Sequence, residues 1–148
     1  MDELKTILLA EDNPKDVELT LEAMAENRLA NHIIVVKDGV EALEYLRCQG
    51  KYKLRKTGNP ALILLDIKMP RMDGIEVLRN IRSDAKLKRL PVVVLTSSRE
   101  ENDLINTYEL GVNAYVLKPV DFKQFIEAVK QIGSFWAVLN ELPPERRK

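Results

Sequence analysis

The sequence predicts an α/β domain with a doubly wound, five-stranded parallel sheet and helices on both faces, and three observations lead there. Short apolar runs recur five times along the 148 residues. Their apolarity is continuous rather than alternating, as expected of strands covered on both faces. Between them apolar residues return at helical spacing, and the βα alternation at this length fits an open sheet, since a (β/α)₈ barrel takes about 250 residues.

The first run is Thr6 to Ala10 (TILLA), and Val17, Leu21 and Met24 follow at helical spacing. The second is Ile33 to Val36 (IIVV), with Val40, Leu43 and Leu46 behind it. Asp12 or Asn13 suits the cap of the first helix, which Pro14 begins. Lys51 to Pro60 (KYKLRKTGNP) reads as the longest loop, its four positive charges expected in water. The third run, Leu62 to Leu65 (LILL), leads directly into Asp66. Met69 and Pro70 redirect the chain, and Asp73-Gly74 suits a turn before the helix of Ile75, Leu78 and Ile81. After the fourth run, Val92 to Leu95, a capping box is expected from Ser97 with Glu100 or from Ser98 with Glu101. The fifth run is Ala114 to Leu117.

A last helical pattern, Phe122, Phe125, Ile126, Val129 and Ile132, continues past Gly133 into Phe135, Trp136 and Leu139, so an extended C-terminal helix is expected. Running from Asp121 to Leu142 it spans roughly 33 Å at 1.5 Å per residue, against about 17–20 Å for a typical strand. The chain divides accordingly into a domain over 1–132 and an extension over 133–148. Phe135, Trp136 and Leu139 either pair with a second copy across a two-fold axis, the favoured reading, or fold back onto the chain's own helices.

Composition narrows the function. The 23 basic and 23 acidic residues cancel, so no global field draws nucleic acid or an anionic membrane. The basic clusters at Lys51 to Lys56 and Lys86 to Arg89 are modest, and a nucleic-acid partner is not expected. Cys48 stands alone and is read as a packing residue. No secretory leader is apparent, and no apolar run approaches the roughly 20 residues of a membrane span. A soluble, cytoplasmic protein with no membrane partner is expected. His32 begins a strand with no acid beside it and stays outside the chemistry.

In open α/β sheets ligands bind beyond the carboxyl ends of the strands, where strand order reverses. Those ends carry Glu11 and Asp12 after strand one, Asp66 after strand three, Thr96 at the end of strand four, and Lys118 with Pro119 after strand five. An order of 2-1-3-4-5 brings the acids together. Like charges 4 Å apart repel by about 4 kcal/mol per pair at an effective dielectric near 20, which a hard cation relieves. Mg²⁺ suits carboxylates and phosphate oxygens, whereas zinc is poorly served by one His and one Cys far apart in sequence. A carboxylate nucleophile with Mg²⁺, a lysine and a hydroxyl supplies the parts for phosphoryl transfer.

The motifs "EDN" after strand one, "LLDIKMPRMDG" at strand three, "LTS" at strand four and "YVLKP" at strand five resemble the receiver domain of two-component response regulators. The likeness runs from about Leu8 to Ile132 and is specific as a spaced set. It implies a flavodoxin-like fold, Asp66 as the aspartate phosphorylated by a sensor histidine kinase, and Glu11 and Asp12 as the pair that holds Mg²⁺ with Asp66. It further implies a metal contact from the Lys68 main-chain carbonyl, Thr96 and Lys118 against the phosphoryl group, Tyr115 as an aromatic switch and a cis bond before Pro119. "DGVEAL", the "FW" after the last helix and the terminal "LP" also resemble stand-alone regulators that serve bacterial phytochrome kinases.

Three rival readings fit less well. An aspartate-based phosphohydrolase of the haloacid dehalogenase type needs a second acid two residues after its nucleophile, where this chain has Lys68. A flavin module wants a hydroxyl- and glycine-rich phosphate loop where "EDNPKD" stands. A phosphorylation-independent binding module is disfavoured by the intact Asp66, Thr96 and Lys118. No turnover of an external substrate is expected.

Overall fold

The computed structural model of the chain describes residues 6–26, 32–56, 58–97, 99–118 and 123. Its elements run β1 (Thr6–Ala10), α1 (Pro14–Glu26), β2 (His32–Val36), α2 (Gly39–Arg47), a 3₁₀ turn (Gly50–Tyr52), β3 (Leu62–Leu65), α3 (Gly74–Ser83), β4 (Val92–Thr96), α4 (Glu101–Glu109) and β5 (Ala114–Leu117). The strands form one parallel sheet in the order β2-β1-β3-β4-β5. Both the order and the five strand positions match the sequence reading. Pro119 and the stretch expected to form the final helix, with Phe135, Trp136 and Leu139, lie outside the described residues, as does Ser98.

Continuous apolarity in the strands is explained by burial on both sides. Ile7, Leu9, Leu62, Leu64, Val93 and Leu95 face the α1 side and pack with Met24. Leu8, Ala10, Ile63, Leu65, Val92 and Val94 face the α2 and α3 side and pack with Leu43, Leu46, Val77, Leu78 and Ile81. Each buried Val, Leu, Ile or Met side chain among them contributes about 1.5–3 kcal/mol relative to exposure. The sheet is therefore a rigid base, and its carboxyl edge carries the candidate site.

Local chemistry departs from expectation at three places. The helix expected to start in a Ser97 or Ser98 capping box begins later, at Glu101, and its N-cap Glu100 makes no side-chain cap hydrogen bond. The loop charges expected in water are partly engaged: the Arg55 guanidinium stacks 4.1 Å from the Tyr45 ring and donates to the Tyr45 and Gly58 carbonyls. Lys51 reaches the buried Glu41 at 2.9 Å. Burial alone would raise the Glu41 carboxyl, but Lys51, the Lys37 N–H and the Tyr52 hydroxyl outweigh it and hold it below the usual range. Cys48 is no core residue; it closes α2 in the left-handed region at φ 55°.

Candidate functional site

The register of β1 on β3 pairs Ala10 with Leu65, so the next residues, Glu11 and Asp66, emerge side by side at the sheet's carboxyl edge. Both are buried. Asn13 supplies the cap of α1 through Oδ1, accepting from the Lys15 and Asp16 N–H groups at 2.9 and 3.2 Å. Asp12 is thereby left exposed and uncommitted to capping. Carboxylate oxygens of Glu11, Asp12 and Asp66 lie within 4.8 Å of one another, an acidic cluster suited to a divalent cation.

Lys118, anchored by its N–H to the Thr96 carbonyl at 2.9 Å, sends its ammonium into this cluster. Nζ donates to Glu11 Oε1 at 2.5 Å, Asp16 Oδ2 at 2.8 Å and Asp66 Oδ2 at 3.2 Å. One cation thus serves three acids. Burial pushes the Glu11 carboxyl up to about 7; its hydrogen bond to Lys118 opposes this and the Asp66 charge adds to it. Burial disfavours the Lys118 ammonium, yet Asp16, Glu11 and Asp66 more than offset it and raise Lys118 above its ordinary range.

The loop after β3 is held from several sides. Asp66 Oδ1 accepts from the Ile67 N–H at 2.8 Å. Asp73 caps α3 by accepting from the Glu76 N–H at 2.9 Å. A Cβ at Gly74 would stand 2.1 Å from the Asp66 carbonyl oxygen, so the start of α3 can press on the Asp66 backbone only as glycine. Arg71 adopts φ 65°, strained for a non-glycine residue, and clamps Asp38 in a bidentate pair at 3.0 and 3.1 Å. Asp38 in turn caps α2.

Thr96 is fully buried at the end of β4, paired in register with Leu117. Tyr115 is half-buried on β5 and packs against the cluster on the α2 and α3 side. Lys68 lies in the loop after β3, and its exposed ammonium pairs with Glu100 and Asp103 at 3.4 and 3.6 Å. The geometry therefore unites Glu11, Asp12, Asp66 and Lys118. Sequence reading missed Asp16, although it falls one helical turn after Asp12, and it missed the Arg71–Asp38 clamp, which spans 33 positions.

Residues 7–130 match the family described as the response regulator receiver domain. The chain belongs to that family. It is a response regulator, with a receiver phosphorylated on aspartate as the activity of the group. Response regulator Rcp1 of Synechocystis sp. is 42% identical over 139 residues, covering 94% of this chain and 93% of its own length. The solved bacteriophytochrome response regulator AtBRR superposes with a TM-score of 0.85 at 55% identity over 95% of this chain and 100% of its own. Its counterpart RtBRR gives 0.84 at 56% over 96% and 86%. The Mn²⁺-bound form of Rcp1 gives 0.74 at 42% over 94% and 99%. Similarity to the receiver family, read first from strand-end motifs, is thereby established, and the phosphohydrolase and flavin rivals fall away.

Proposed function

We propose that this response regulator accepts a phosphoryl group on Asp66 from a histidine kinase of the phytochrome type, with Mg²⁺ held by Glu11, Asp12, Asp66 and the Lys68 carbonyl. The observation that carries this reading is the Lys118 ammonium shared by Glu11 and Asp66 at the buried strand ends. The acids fit a hard cation because three clustered carboxylates, Glu11, Asp12 and Asp66, face the one ammonium of Lys118. The bound cation supplies charge stabilisation at phosphoryl oxygens. Asp66 attacks phosphorus, a P–O bond to its carboxylate forms, and the bond to the phosphohistidine nitrogen breaks with its electron pair leaving on the imidazole. Lys118 and Thr96 meet the phosphoryl oxygens, and Tyr115 answers as the switch. No external substrate is turned over; the chain acts on its own carboxylate and loses the group to water.

The phytochrome link is supported by the names of its relatives, the bacteriophytochrome regulators AtBRR and RtBRR. No helix among the described residues is long and apolar enough to cross a membrane, which suits a cytoplasmic partner of a kinase. We assign the receiver to 1–132 and a dimerising extension to 133–148, with Phe135, Trp136 and Leu139 at a homodimer contact. The test is mass spectrometry after incubation with Mg²⁺ and acetyl phosphate. One added phosphoryl mass is expected, absent in Asp66→Asn, and undiminished labelling of that variant would refute Asp66 as acceptor.

A further inference from the structure

We infer that Asp16 is the positioning residue that keeps Lys118 in the site when a divalent cation claims Glu11 and Asp66, an inference that rests on the metal reading above. Three donors are all an ammonium has, and Lys118 spends them on Glu11, Asp16 and Asp66. Two of those acceptors belong to the acidic group suited to a cation, and Asp16 does not. A divalent ion and the ammonium therefore compete for Glu11 and Asp66, and one must yield. Asp16 offers the ammonium a carboxylate that the cation leaves alone.

Its seat favours the role. Asp16 stands in the first turn of α1, and its own N–H is bound by the capping Asn13. The side chain is about one-third exposed, while the Lys118 side chain is 10% exposed. Lys118 is thus confined, and a shift toward Asp16 keeps it beside Asp66 while it surrenders its shorter contact with Glu11. Without Asp16 the ammonium is left with the metal-binding acids alone, so it opposes the cation more strongly.

Calorimetric titration of the full chain with Mg²⁺ tests this. Asp16→Asn is expected to weaken Mg²⁺ binding about three- to tenfold, toward the lower end of contact-pair couplings, and Asp16→Glu to recover most of the loss. Lys118→Met removes the competitor, and in that background Asp16→Asn is expected to change the affinity by less than about twofold, within the additive error of uncoupled sites. An equal loss in both backgrounds would mean that Asp16 acts as a bare charge and not through Lys118, and overturns the inference. An unchanged affinity for Asp16→Asn, or Asp16→Glu as weak as Asn, overturns it too. A wild-type chain that takes up no Mg²⁺ removes the metal reading itself, and Asp12→Ala, expected to lose binding whatever Asp16 does, separates that failure from the narrower one.

Discussion

Glu11, Asp16 and Asp66 share the single ammonium of Lys118, and burial raises the Glu11 carboxyl from 4.5 to about 7 against the pull of that ammonium. The folded chain therefore binds a proton there more tightly than the unfolded chain. Between about pH 4.5 and 7 the native state holds more protons, so the cation-free fold loses stability as pH rises through that window. Mg²⁺ acts in the opposite sense, because it favours the ionised carboxylate. The rise in melting temperature produced by Mg²⁺ should be larger at pH 8 than at pH 6, and Glu11→Gln should flatten the cation-free decline. Thermal melts with and without Mg²⁺ check both; an equal Mg²⁺ effect at the two pH values contradicts the assignment.

Helix starts set the loops of the site, and here the sequence was legible to different depths. Asn13 before Pro14 and Asp73 before Gly74 follow ordinary capping chemistry, so α1 and α3 could be placed from residue types alone. The partition between Asn13, which caps, and Asp12, which stays exposed, needed the structure because both are good caps. Asp16, Arg71 and Arg82 escaped for another reason: partners of each lie 28 or more positions away. Arg82 donates to the carbonyls of Lys88, Leu90, Leu110 and Gly111, tying the end of α4 to the loop before β4, and no periodicity signals such a staple. Loss of the Asn13 cap, as Asn13→Ala, is expected to cost about 1 kcal/mol. Gly74→Ala meets the Asp66 carbonyl, and overpacking of this kind costs about 1–3 kcal/mol. Urea denaturation measures both, and Gly74→Ala should also slow labelling of Asp66 because the strain falls on its own backbone. A labelling rate equal to wild type would show that the loop absorbs the methyl group elsewhere.

At the scale of the molecule, the site must reach a surface, and α4 with β5 is where the chain offers one. The Lys68 pairs to Glu100 and Asp103 run from the loop after β3 to the start of α4, so the phosphoryl group proposed at Asp66 would pull on the lysine that pairs with that helix. Further along α4, Leu104, Ile105 and Tyr108 are 39%, 47% and 52% exposed. Large apolar side chains grouped on one helix mark a contact surface more readily than scattered ones do. The C-terminal pattern of Phe135, Trp136 and Leu139 adds a second apolar group in the sequence, and the homodimer proposed above would give such groups a self-complementary partner. Aromatic residues central to an interface often cost about 2 kcal/mol or more when truncated. Trp136→Ala, and separately Ile105→Glu with Tyr108→Ala, should therefore shift the mass measured by light scattering toward monomer while leaving the melting temperature of the receiver near that of wild type. A wild-type chain that stays monomeric at high concentration, with and without phosphorylation, would sink the dimer and leave the tail folded back on its own helices.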